Sequence, residues 1–167
     1  MASKIKVDQI QTADGTGTIA LQNQLSGMTY TSMPAGSTIQ VTTGSSTSTF
    51  STTSQSFQNT NLSASITPKY SNSIIVGSLT GFVLVGGQST AEGQYQITAN
   101  NSAIHSLVWS LGQSEALGLF LPVSMTFHHS PSTTNAVTYR LTARSNDGTQ
   151  TVYFYRQQYM QLMEIRQ

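Results

Sequence analysis

Few side chains in this sequence are able to do acid–base or metal chemistry. The 167 residues include six Asp and Glu and three His. The carboxylates are Asp8, Asp14, Glu92, Glu115, Asp147 and Glu164. Asp14 and Asp147 each precede a glycine, where an aspartate has a structural task in a turn. The other four stand isolated in sequence, and nothing in their spacing brings two together as a glycosidase pair requires. His128 and His129 are adjacent, but neighbours on a strand point to opposite faces, so one metal ion does not take both. One histidine per subunit on a symmetry axis is the remaining metal arrangement. The reading adopted is two strand-end histidines ahead of Ser130-Pro131. His105, among Ile104, Leu107 and Val108, reads as a half-buried residue. Cysteine is absent, which removes thiolate ligands and disulfides. Ser-His-Asp logic finds no grouped partners. The expectation is a chain with no catalytic residues, no metal and no cofactor.

Two motifs look like binding chemistry at first sight. Asp14-Gly15-Thr16-Gly17 has the glycines of a phosphate loop but lacks the lysine and the following helix, so it reads as a turn. Asn61-Leu62-Ser63 and Asn100-Asn101-Ser102 have glycosylation spacing, which carries little without a secretory route. The aromatic residues Tyr95, Trp109, Tyr153, Tyr155 and Tyr159 are the candidate contact residues, for subunits or for a ligand. Each of these five joins an apolar ring to a polar handle.

The elements that would hold these residues are strands. Val137, Tyr139, Leu141 and Ala143 alternate with Thr138, Arg140, Thr142 and Arg144, one face inward and the other wet. Short runs of this kind recur between turn signals: Thr38 to Thr43, Leu62 to Ile66, Ser73 to Val85, Gln94 to Ala99 and Ala103 to Ser110. They continue over Leu117 to Phe127, Ala136 to Ser145, Gln150 to Tyr155 and Tyr159 to Arg166. Gly77 and Gly81 are expected to break or bulge the third of them. Asn146-Asp147-Gly148-Thr149 is expected to close a hairpin. The Ser/Thr-rich stretch from Ser45 to Gln58 reads either as a loop or as an edge strand pinned by Phe50 and Phe57. No sustained helical stripe appears. The fold class is all-β, an antiparallel sandwich that fits an eight-stranded jelly roll.

At the N-terminus Ile5 and Val7 alternate with lysines, and Ile19 and Leu21 share a face beyond the Ala13–Gly17 turn. Residues 1–33 therefore read as a β-hairpin arm, 34–36 as a hinge at Pro34 and Gly36, and 37–167 as the sandwich. Such a hairpin is marginal alone and is expected to dock on something. Only 8% of residues are charged and 37% are hydrophobic, so the chain folds with a surface wetted by hydroxyls and amides. That suits a subunit burying much of its exterior in an assembly. Net charge is +1 with scattered basic residues, which argues against nucleic acid. No apolar stretch reaches the ~20 residues of a membrane span. No apolar segment follows Met1-Ala2-Ser3-Lys4, so no signal peptide is expected.

Lys4-Ile-Lys-Val-Asp-Gln-Ile-Gln-Thr-Ala-Asp-Gly-Thr-Gly-Thr-Ile-Ala-Leu-Gln-Asn-Gln-Leu-Ser-Gly-Met28 resembles the N-terminus of small structural proteins of marine tailed bacteriophages. Leu62-Ser-Ala-Ser-Ile-Thr-Pro68, His129-Ser-Pro-Ser-Thr-Thr134 and Leu162-Met-Glu-Ile165 resemble the same group over shorter spans. The resemblance implies a non-enzymatic virion protein made in the host cytoplasm. It attaches to capsid or tail proteins through its arm, with Ile5, Val7, Ile10, Ile19, Leu21 and Leu25 as anchoring positions. A homotrimeric fibre-type appendage binding a host-surface glycan or protein is the first expectation. A capsid decoration or cement protein is the second, and a carbohydrate-binding or carbohydrate-active domain the third.

Overall fold

A computed structural model of the chain describes residues 10–11, 18–19, 29–85, 93–109, 121–155 and 157–167; side chains at 10, 11, 18, 19, 85 and 106–109 fall outside that description. The chain divides into two compact units, Met1–Met33 and Pro34–Gln167.

In the first unit β1 (Ile10–Gln11) and β2 (Thr18–Ile19) pair antiparallel, with Ile10 opposite Ile19. Ile5, Val7, Leu21 and Leu25 lie outside the described residues.

The second unit holds β3 (Thr38–Ser46), β4 (Phe50–Thr52), β5 (Gln58–Ile66), β6 (Ile74–Val85) and β7 (Gly93–Ala99). It continues with β8 (Ser102–Trp109), β9 (Leu121–His129), β10 (Val137–Ser145), β11 (Val152–Phe154) and β12 (Gln158–Ile165). No helix occurs among the described residues. The strands form where period-two alternation was read, and burial follows that alternation: β5 alternates exposed and buried from Thr60 to Ile66, and β9 does so from Pro122 to His128. All pairings are antiparallel.

One sheet has the order β5-β10-β7-β8, and the other runs β3-β12-β6-β11-β4 with β9 also on β6. β11 and β12 lie end to end along one side of β6, opposite Val83–Val85 and Ile74–Thr80 respectively. β4 and β3 lie end to end against them in one register from Thr52 to Gln40, with a shift before Ile165 pairs with Thr38. The six-stranded sheet is thus only four strand positions wide: β3/β4, β11/β12, β6, β9. Between β11 and β12 the chain jogs, with Gln157 at a φ of 64°. The buried Gln158 secures the jog from inside, its Nε2 donating to Phe154 O at 3.0 Å and Ser48 O at 3.1 Å.

The inner faces bury Leu62, Ile75, Leu79, Val83, Tyr95, Ile97, Phe127, Tyr139, Leu141, Phe154 and Leu162 in one cluster. Gly77 and Gly81 do not break β6, which runs unbroken for 12 residues. They face the core, where space is needed instead of a bend. A Cβ at Gly77 would stand 2.0 Å from the Phe127 ring and one at Gly81 2.7 Å from that of Phe154. The sequence carries glycine here because two aromatic rings from neighbouring strands occupy the place of its side chains.

The Asn146–Thr149 turn forms, but it closes no hairpin. β10 belongs to the four-stranded sheet and β11 to the six-stranded one, so the segment crosses between sheets. Asp147 Oδ1 accepts from the backbone N–H of Thr149 at 2.9 Å and of Gln150 at 3.2 Å, and Gly148 takes a φ of 76°. Asp-Gly dictates a local bend; which sheet the next strand completes is set by long-range pairing. Within the Ser45–Gln58 stretch only Phe50–Thr52 forms a short edge strand, β4; Ser45 and Ser46 end β3, Gln58 begins β5, and Phe57 lies outside a strand.

Candidate functional site

The two outer faces of the sandwich differ in chemistry. On the four-stranded sheet the outward positions include Asn59, Asn61, Ser63 and Ser65 on β5, Thr138, Arg140 and Arg144 on β10, Gln94 and Gln96 on β7, and Ala103 on β8. Hydroxyls bond one another there, as Ser65 Oγ and Thr138 Oγ1 do at 2.8 Å. Arg144 is held in place: its Nε donates to Gln94 Oε1 at 2.9 Å and its guanidinium lies 5.0 Å from the Phe57 ring centroid. This face is a hydrogen-bonded polar surface.

The outer face of the six-stranded sheet is built in rows set by register. Val41, Met163, Val76 and His128 lie side by side across the strands, then Thr43, Gln161, Ser78 and Thr126, then Ser45, Tyr159, Thr80 and Ser124. Phe82 beside Pro122 extends the last of these, and Ile165 beside Ile74 stands at the other end. None of these residues is Asp, Glu, Lys or Arg. Three of the four exposed large hydrophobic side chains among the described residues are here: Tyr159 at 59%, Val41 at 49% and Phe82 at 39%. Beside Tyr159 an open groove of about 480 Å³ is lined by Thr80, Phe82, Pro122, Ser124 and Gln157.

The five aromatic candidates separate in this frame. Tyr159 is exposed at that groove, more so than Phe82 beside it. Tyr153 and Tyr155 are half-buried with ring centroids 5.7 Å apart, on the side of β11 opposite Val152 and Phe154. Tyr95 is a correction: it is 1% exposed, packs against Phe154 and sends its Oη to Tyr153 O at 3.4 Å, so it is a core residue rather than a contact residue. Its parity on β7 points it inward with Ile97. Burial pushes its phenol well above the usual range. Trp109 ends β8, and its side chain lies outside the described residues.

His128 and His129 close β9 on opposite faces. His128 is exposed on the neutral face, while His129 is half-buried with Nδ1 2.9 Å from Tyr139 Oη. Burial lowers the His129 pKa below 6.5 and raises that of Tyr139. Among the described residues no three His, Asp or Glu side chains meet in a group fit for a metal ion.

Glu164 is the polar centre that sequence reasoning passed over as an isolated carboxylate. It is fully buried, its Oε1 accepting from Ser73 Oγ at 2.6 Å, Lys69 N at 2.7 Å and Tyr70 N at 3.3 Å. Gln40 Nε2 donates to its other oxygen and to Thr67 O. The carboxylate clamps the Thr67–Ser73 loop onto the end of β12. Its parity with Met160 and Leu162 was the available signal. Asp147 stays a turn residue, its pKa lowered mainly by the Thr149 backbone N–H. Asp8, Asp14, Glu92 and Glu115 lie outside the described residues.

No protein-family model matches the chain, and no curated protein does either. Among solved structures it is similar to dimeric latent PorU from Porphyromonas gingivalis at 11% identity and a TM-score of 0.37. That match covers 80% of this chain and 14% of that one.

Proposed function

We propose that this chain is a structural subunit of a phage-type virion, joined to the particle by residues 1–33 and presenting a homotrimeric β-sandwich as a fibre-type appendage for host-surface attachment. The observation that carries the reading is the division of the chain at Met33–Pro34. The segment Lys4 to Met28, which bears the resemblance to phage structural proteins, falls wholly within the first unit. The polar and apolar faces just described belong to the second. An attachment segment separate from the presented domain is the organisation an appendage needs.

The strand order supports a jelly roll as the finer description. Taking β3/β4 and β11/β12 as single strands leaves eight, numbered one to eight along the chain. They are arranged 1-8-3-6 in one sheet and 2-7-4-5 in the other, the interleaving of two Greek keys. The reading assigns no reaction and no cofactor. The same uncharged outer face favours a second reading, a capsid decoration protein whose sandwich lies against neighbouring capsid subunits, because such contacts also avoid buried charge.

Electron microscopy of particles carrying the full chain tests both. A few copies at a tail or vertex support the appendage, and hundreds spread over the head support decoration. Absence of the chain from purified particles rejects both. A chain lacking residues 1–33 is expected to fold as a sandwich and fail to join particles; incorporation at full level rejects the arm as the anchor.

A further inference from the structure

We infer that the outer face of the six-stranded sheet is the surface through which copies of this chain meet, its partner being a second copy of the same chain. The inference rests on the homo-oligomer reading above and names the surface that reading requires.

The argument starts from the difference between the two outer faces. On β5, β10 and β7 the four-stranded sheet spends its outward positions on Asn, Ser, Thr, Gln and two arginines, and side chains there bond one another. The six-stranded sheet spends its own on Val41, Met163, Val76, Phe82, Pro122 and Tyr159 among others, interspersed with small hydroxyl residues, Gln161 and His128. Alternation alone does not require this. A solvated antiparallel sheet keeps polar residues on its wet face, as the opposite sheet does.

Charge selects the partner. Among its described residues this face has no Asp, Glu, Lys or Arg with which to read a charged partner, and two such faces meet without stranding an unpaired ion. A second copy supplies a face of matching chemistry by construction. Size points the same way. Four strand positions at roughly 4.8 Å and nine residues at roughly 3.3 Å span about 19 by 30 Å. In projection that is on the order of 600 Å², close to the roughly 800 Å² of accessible surface that each partner brings to a standard interface. A small ligand would need only the groove. The relief suits self-association too: Tyr159 stands out beside a hollow walled by Phe82, Pro122 and Gln157. A surface with both a projection and a recess can receive its own copy about a symmetry axis.

The test is the mass of the full-length chain by sedimentation velocity and light scattering, for wild type, Val41→Lys/Tyr159→Lys, Thr126→Lys and the control Asn61→Lys. Val41, Tyr159, Thr126 and Asn61 are all exposed in the single chain, so the fold should survive, with circular dichroism as the check. Wild type and Asn61→Lys are expected at a multiple of 17.9 kDa. The two variants on the neutral face are expected to associate at least tenfold more weakly and to approach the mass of one chain. Retention of the wild-type mass by both neutral-face variants overturns the inference while leaving the oligomer standing. A wild type that stays a single chain at every concentration overturns the oligomer itself. Saccharide binding that Tyr159→Ala abolishes with no change in mass would assign the groove to a glycan and overturn the inference as well.

Discussion

At the scale of single residues, Glu164 is the clearest structural device among the described side chains. A fully buried carboxylate surrounded by Ser73, the Lys69 and Tyr70 amides and Gln40 has its oxygens met by donors, which is the condition under which burial of such a group is tolerated. Replacing Glu164 by Ala leaves several donors without an acceptor. Chemical denaturation is expected to show a loss of roughly 2–4 kcal/mol; a loss below roughly 0.5 kcal/mol would mean that the clamp contributes little. His129 gives the pH dependence. Burial lowers its pKa below the ordinary 6.5, so the unfolded chain takes up the proton first as pH falls. Its contribution is present above pH ~6.5 and is lost as pH drops from there through the lowered folded value. The unfolding midpoint should therefore fall between pH 7.5 and 5.5, and His129→Gln should flatten that change. An equal drop in both proteins would show that His129 is not its source.

Among the elements, β6 is the organising strand, since β12, β11 and β9 all pair with it. It keeps its regularity because Gly77 and Gly81 yield space to Phe127 and Phe154. Gly77→Ala is expected to cost roughly 1–3 kcal/mol through overpacking, although alanine usually favours ordered backbone over glycine. Combining it with Phe127→Leu should recover part of that cost, a coupling that a double-mutant cycle measures. Additive losses would place the penalty in the backbone instead. The strands themselves were legible in the sequence. β10 was expected over Ala136 to Ser145 and spans Val137–Ser145; β7 was expected over Gln94 to Ala99 and spans Gly93–Ala99. Alternation is a local signal that each strand carries within itself. The role of Asp147-Gly148 was legible only as a bend, because the partner of β11 is chosen by β4 and β6, distant in sequence.

At the scale of the whole molecule, the described strands of the second unit present a polar sheet on one side and an uncharged one on the other. The formal charges on the described strand faces sit on the four-stranded sheet, at Arg140 and Arg144, or are buried, at Glu164. At this scale the second unit, Pro34–Gln167, is expected to unfold in one cooperative step, since both sheets share a single core. Coincident transitions by fluorescence and circular dichroism would show this, and separate midpoints would mean that the sheets unfold independently.

The amino-acid sequence alone determined the all-β class, the positions of most strands and the scarcity of reactive groups, because these depend on residue type and short-range alternation. It also placed His128 and His129 on opposite faces of one strand. Only the tertiary structure decided that Tyr95 is core, that Glu164 is a clamp and that Gly77 makes room for a ring. It alone decided, too, that Val41, Met163, Val76 and Tyr159 share one face. Each of these depends on which distant strands become neighbours and in what register, and that choice is made by the sheets as a whole.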